Sequence, residues 1–317
     1  MSTGGRLHWS EVGEATSVTG IRILCSVHRW LGRLPFLSCL YPVVFFHWLT
    51  RAGARRASLD YLRRVHAHWP GVFANRPGYW LSLRHLATFG DTLLTKIIAC
   101  GGGYPVDRVE FRREVMLSQL RAREGGVIVT AHMGCLELTQ ALVREVPGLK
   151  VTVLVHTAHA ERFNRLLARL DTGDTLRLQQ VTELGPATAV MLGERVARGE
   201  FIAIAGDRVP LRGGRSVTAR FLGAEARFPI GPYVLASALG CPLFAMSCLR
   251  SGRGYAIAFE RLADRVRLPR GARGEALAGY AAAYAGWLES RVRQSPLDWF
   301  NFYDFWDDAD ADDGRNG

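Results

Sequence analysis

A chain of 317 residues, 48% of them apolar, is long enough for one large α/β domain with an appended N-terminal element, and it excludes a disordered or collagen-like protein. Lys and Arg outnumber Asp and Glu by 40 − 29 = 11, which favours an anionic partner: nucleic acid, anionic lipid, an acidic carrier protein or a phosphate-bearing cofactor. The chain shows no zinc-finger spacing and no RNA-binding aromatic signature, so nucleic acid is not expected, and six scattered cysteines without a CxxC pair fit a reduced, cytoplasmic setting.

Residues 1–20 are polar, with Glu11 and Glu14, and do not read as a cleavable signal peptide. Ile21, Leu24, Val27 and Leu31 recur at helical spacing. The stretch LPFLSCLYPVVFFHWLT, Leu34 to Thr50, carries no Asp, Glu, Lys or Arg and is bounded by Arg33 and by Arg51, Arg55 and Arg56. At about 1.5 Å per residue it makes a helix of roughly 25 Å, short of the roughly 20 residues that a span needs, and it contains Pro42 and His47. It is predicted to touch a membrane surface, with Tyr41, Phe45, Phe46 and Trp48 at the interface and the arginines on anionic headgroups; the alternative is a buried helix of a soluble domain. This separates an N-terminal region, 1–56, from a main domain, 57–306, and an acidic, Gly-containing tail, 307–317.

Helices are predicted over 57–68, 79–100 and 111–123. GGVIVTAH, 125–132, is the first clear core strand, with a consecutive apolar run that suits cover on both faces. A helix over 136–146, the strand VTVLVH (151–156) and helices over 160–170 and 187–198 follow. Next come the strand FIAIAG (201–206), a helix over 232–239, the strands PLFAMSCL (242–249) and YAIAFE (255–260), and a long helix over 275–293. The alternation predicts an α/β fold with a mixed, mostly parallel sheet flanked by helices and an N-terminal membrane-contacting helix, its chemistry beyond the carboxyl ends of the strands.

No GxSxG elbow, GxxxxGK[ST] loop, GxGxxG after a strand or HExxH is present, so the serine-hydrolase, nucleotide and zinc-protease readings lack their parts. His132 stands at the end of a buried strand with Glu137 five residues on, and Gly134 between them can relax the turn. A carboxylate there can fix the imidazole tautomer and raise its basicity, which suits deprotonation of a substrate hydroxyl or amine; a satisfied histidine beside a helix is the structural alternative. Asp207 and Arg208 follow the strand 201–206 and can orient a substrate, hold a phosphate or stabilise a thioester oxyanion, with backbone N–H groups near Gly134 as further oxyanion donors; a salt-bridged loop is the plainer reading. Phe221, Gly223, Pro229 and Gly231 belong to an apolar segment suited to lining an acyl channel or to ordinary packing. His159, Arg162 and Asn164, with His156 and Arg165, form a polar group able to engage a headgroup or a phosphopantetheine phosphate, or simply a solvated helix face. The basic run from Arg253 to Arg273 is a candidate contact for acyl carrier protein or anionic lipid.

The pieces AHMGCLE (131–137), HTAHAERFNRLL (156–167), IAGDRVP (204–210), ARFLGAEARFPIGPYVLASALGCPLF (219–244) and PLDWFNFYDFW (296–306), with HWSEVGE (8–14), resemble the lysophospholipid acyltransferase superfamily. The likeness is to its lipid A lauroyl and myristoyl transferase branch, and within it to bacterial acyltransferases found with genes for aryl polyene, flexirubin or unusual lipid synthesis. The resemblance implies a glycerolipid acyltransferase-like fold, His132 as the base, Glu137 as its orienting acid and Asp207 in the later aspartate segment. It implies an acyl carrier protein or coenzyme A thioester as donor, a lipid or glycolipid acceptor, no tightly bound cofactor and no metal. It places the enzyme at the cytoplasmic face of a bacterial inner membrane, among anionic lipids. Lipid A enzymes carry a more polar, two-aspartate segment where this chain has Gly206-Asp207-Arg208.

Overall fold

A computed structural model describes residues 23, 26–28, 30–100, 103–111, 114–139, 146, 148–155, 176–180, 186–209 and 215–306. Three helices open it: α1 (Arg33–Thr50), α2 (Ala52–His68) and α3 (Tyr79–Cys100). Then come β1 (Val109–Phe111), α4 (Glu114–Ala122), β2 (Gly126–Thr130), β3 (Val151–Val155), β4 (Leu176–Gln180), α5 (Pro186–Ala197) and β5 (Phe201–Ala205). A hairpin of β6 (Ser216–Phe221) and β7 (Ala224–Pro229) leads to α6 (Gly231–Leu239), β8 (Leu243–Ser251), β9 (Gly254–Ala263) and α7 (Arg273–Gln294). The expected boundary after residue 56 falls inside α2.

Seven strands form one sheet in the order β1-β9-β8-β2-β5-β3-β4. All neighbours are parallel except β8 and β9, joined as an antiparallel hairpin, so the sheet is mixed and mostly parallel, as the sequence predicts. Side chains alternate across the sheet and divide the core in two. Val127, Val129, Ile202, Leu243 and Ala245 face α2, α5, α6 and α7, while Ile128, Phe201, Ala203, Phe244 and Met246 face Met116 of α4 and Leu138. Residues buried on both faces explain why β2, β5 and β8 read as unbroken apolar runs.

Three features escape the sequence pattern. Val109–Phe111 forms an edge strand parallel to β9. Leu176–Gln180 forms an edge strand on β3. Residues 216–229 form an antiparallel hairpin whose turn puts both Leu222 (φ 50°) and Gly223 (φ 81°) in the left-handed region. Such turns favour Asn-Gly; a leucine there is strained, and its N–H is fixed by Glu289 Oε1 at 2.6 Å. The helix expected over 136–146 begins as a single 3-10 turn, Leu136–Leu138, and residues 140–145 lie outside the described set, as do 8–14, 160–170 and the tail 307–317.

α1 lies against α3 through Phe36, Leu40 and Val44. Arg33 pairs with Asp91 at 2.8 Å, Trp48 Nε1 donates to Ser82 Oγ at 3.2 Å, and Arg55 caps the α1 carbonyls of Trp48 and Leu49. The opposite face exposes Leu34, Tyr41, Val43, Phe45, Phe46 and Leu49. Among the described residues no helix is long and apolar enough to cross a membrane.

Candidate active site

β2 and β5 lie side by side in parallel, with Thr130 opposite Ala205, and both strands end there. Two residues beyond each end stand His132 and Asp207, so the strand register itself brings them together. Gly206 N–H and Tyr284 O–H both donate to the Thr130 carbonyl at 2.8 Å, which fastens the two strand ends to each other and to α7.

His132 Nδ1 lies 2.8 Å from Asp207 Oδ1, and the His132 backbone N–H donates to Asp207 Oδ2 at 2.8 Å. Asp207 is 2% exposed. Burial alone raises its pKa, but the charge of His132, two hydrogen bonds from that residue and the Arg208 guanidinium outweigh it and hold the carboxyl down at about 2. An ionised carboxylate only accepts hydrogen bonds, so Nδ1 carries the proton and Nε2 keeps its lone pair. The His132 pKa lies below the usual 6.5, first through desolvation and then through Arg208 and Lys96, against the opposing pull of Asp207. The side chain is still 40% exposed, so the imidazole meets solvent while most of its surroundings are protein.

The acid expected to hold His132 is placed elsewhere. Glu137 Oε1 pairs with Lys96 Nζ of α3 at 3.0 Å, and Glu137 Oε2 lies 3.8 Å from the buried Cys135 Sγ. The carboxylate on the imidazole belongs to Asp207, because register places it there, whereas Glu137 sits in a 3-10 turn that faces α3. The expected oxyanion donors near Gly134 are engaged as well: Gly134 N–H donates to the Asp298 carbonyl at 2.8 Å and Cys135 N–H to the Cys248 carbonyl at 2.9 Å. Gly134 itself is required, since at φ 60° an added Cβ would stand 1.9 Å from the Cys248 oxygen. Arg208 Nη2 reaches the Phe300 carbonyl at 3.3 Å and its guanidinium lies 5.9 Å from the Tyr303 ring centre.

Phe221 is fully buried, stacked on Trp306 and edge-on to Trp299, Phe228 and Phe305, so its ring belongs to the core and offers no surface to a ligand. Gly223 is at the hairpin tip, Pro229 is buried at the end of β7, and Gly231 is exposed at the start of α6. His156, His159, Arg162, Asn164 and Arg165 lie outside the described residues.

Pattern reading passed over the segment 295–306 as a source of site residues. Trp299 Nε1 donates to Asp207 Oδ2 at 3.0 Å and Tyr303 O–H to the Asp207 carbonyl at 3.1 Å. The Phe300 N–H donates to the His132 carbonyl at 3.0 Å. Asp298, fully buried, accepts from Arg250 N–H and Nε and from Ser295 Oγ, and Arg250 also reaches Asp91 and Thr92 of α3. Lys96 was equally overlooked, although it is one of only two lysines in the chain and stands one turn from Asp91 and Thr92 on α3.

A histidine with a buried carboxylate on Nδ1 and a partly exposed ring, at the carboxyl edge of a mostly parallel sheet, is an arrangement chemically able to take a proton from a bound group. The family description of bacterial lipid A biosynthesis acyltransferases matches residues 73–307, and the chain belongs to that family. The protein is therefore an acyltransferase, and α1 and α2 precede the matched region. No curated protein matches the chain.

Proposed function

We propose that this acyltransferase moves a fatty acyl group from an acyl carrier protein or coenzyme A thioester directly to a hydroxyl or amine of a lipid or glycolipid, with His132 as the base. The observation that carries the reading is the 2.8 Å contact between His132 Nδ1 and Asp207 Oδ1. Nε2 takes the proton as the acceptor oxygen or nitrogen attacks the thioester carbonyl, and Asp207 holds the ring and offsets the charge it gains. The thiolate leaves as the tetrahedral intermediate collapses. Arg208 and Lys96 supply positive charge beside the reacting centre, with Arg208 better placed for the oxyanion because it follows Asp207 directly. Glu137 keeps Lys96 in place. Cys135 is fully buried, which argues against a covalent acyl-cysteine.

The apolar outer face of α1 supports contact with the membrane from its cytoplasmic side. Phe45, Phe46 and Leu49 are each about half exposed, so burial of the remainder in lipid gains about 1 kcal/mol apiece, and Leu34, Tyr41 and Val43 add to it, whereas each arginine near an anionic surface adds about 1 kcal/mol. The apolar part dominates, so binding should survive high salt. The exposed arginines on this side and in the run 253–273 fit acyl carrier protein and anionic lipid as partners.

The test is transfer from a defined acyl carrier protein thioester, with and without a lysolipid or sugar-lipid acceptor. Acceptor-dependent transfer that is abolished by His132→Ala and kept by Cys135→Ala is expected. Acceptor-free hydrolysis would make the enzyme a thioesterase, and a trapped acyl thioester on Cys135 would overturn direct transfer.

A further inference from the structure

We propose that Trp299 is a positioning residue for the base: its indole N–H, anchored through the backbone by His85, fixes the Asp207 carboxylate and moderates its pull on the imidazolium form of His132. This rests on the His132–Asp207 pair described above.

The Asp207 carboxylate accepts three hydrogen bonds. Two come from His132 itself, its ring on Oδ1 and its backbone on Oδ2, and they move with that residue. The third, from Trp299 Nε1 at 3.0 Å, comes from a separate segment. Trp299 is 1% exposed and is clamped by Tyr61, Phe221, Phe305 and Trp306, all more than 70° from its plane. Its neighbours on either side both bond the loop that bears His132: the Asp298 carbonyl accepts from Gly134 N–H, and the Phe300 N–H donates to the His132 carbonyl. The Trp299 carbonyl accepts from His85 Nε2 at 2.8 Å. His85 Nδ1 in turn accepts from Ser58 O–H at 3.0 Å, since the carbonyl on the other side can only accept. His85 is fully buried, and desolvation lowers its pKa to about 4, so it stays neutral and keeps this tautomer near neutral pH. Ser58, His85, Trp299, Asp207 and His132 thus form one chain of contacts from α2 and α3 to the reacting edge of the imidazole.

A hydrogen bond to a carboxylate spreads its charge, so a neighbouring imidazolium is stabilised less. With the indole N–H removed, Asp207 should pull harder on protonated His132, and the imidazole should hold its proton to higher pH. The other groups facing this pair are Arg208 after β5, Lys96 on α3 with Glu137 as its partner, Tyr284 of α7 and Tyr303 of the segment 295–306. All of them remain in place when only the indole N–H is lost.

The test is a histidine-resolved NMR titration of the full-length protein without substrate. In Trp299→Phe the His132 pKa should rise by roughly half a unit to one unit. Replacement of Trp299 by benzothienylalanine, which keeps the shape and lacks the N–H, should give the same rise and guards against loss of packing in the phenylalanine variant. In an Asp207→Asn background the same Trp299 changes should leave His132 unmoved, since the charge they moderate is gone. An unchanged or lowered His132 pKa with Asp207 intact, or an equal rise without it, overturns the proposal. Because no substrate is needed, the titration is independent of whether His132 and Asp207 perform acyl transfer, which Asp207→Asn in the transfer assay decides separately.

Discussion

α1 and the segment 295–306 are both rich in aromatic side chains, and the molecule uses them in opposite ways. In α1, Phe36, Leu40 and Val44 turn inward onto α3 while Tyr41, Phe45, Phe46 and Leu49 stay exposed. In 295–306, Trp299, Phe300, Tyr303, Phe305 and Trp306 are all buried. The polar ends of the rings decide how the inner segment is fixed. Trp299, Tyr303 and Trp306 each carry a donor that must be satisfied when buried, and each finds a definite acceptor, so burial fixes their orientation. The phenylalanines of α1 have no such group and can meet a fluid apolar phase without a set direction. One aromatic segment sets geometry, and the other supplies apolar area.

The most severe way to break the inner region is at the carboxylate it holds. Asp207→Asn should lower the rate of transfer by about 10²–10⁴-fold with the fold retained, whereas Glu137→Gln should cost clearly less; steady-state rates with a thioester donor measure both. The reverse order would return the orienting role to Glu137.

Next in size is the anchor of the same segment. Arg250→Ala leaves the fully buried Asp298 without its cation, while Asp91 keeps Arg33, and should lower stability by about 3–5 kcal/mol in denaturant unfolding. Loss of activity should parallel this unfolding, because Asp298 fastens the loop at Gly134.

His85 gives a smaller, pH-dependent effect. Its folded pKa of about 4 lies below the ordinary 6.5, so the unfolded chain binds the proton more readily between those values. The contribution is present above pH 6.5 and is lost as pH falls towards 4, by roughly 3 kcal/mol in all. Asp207 adds to acid sensitivity only lower, as pH falls through the ordinary 3.8 towards about 2. His85→Gln should flatten the fall in stability between pH 6.5 and 4, measured by unfolding at fixed pH steps.

The outer region should show the mildest effect on the fold. Phe46→Ser and Leu49→Ser should leave stability within about 0.5 kcal/mol, since both side chains are already exposed. They should nevertheless reduce cosedimentation with anionic liposomes at low and at high salt. Undiminished binding would remove α1 from the membrane contact.

The sequence by itself determined the layers of this protein. Apolar runs at 127–129, 201–204 and 243–249 read as strands covered on both faces, and their alternation with helical periods implied a mixed, mostly parallel sheet. It also marked His132 and Asp207, because each follows such a strand directly. What it could not supply was their partnership, since Glu137 is near His132 in sequence whereas Asp207 is near it only through the parallel register of β2 and β5. The hairpin at 216–229 was hidden because its turn uses a leucine at positive φ, held by Glu289 from α7. The contribution of Trp299 was hidden for the same reason: a ring in an aromatic run has no readable direction until tertiary packing gives its N–H a single acceptor.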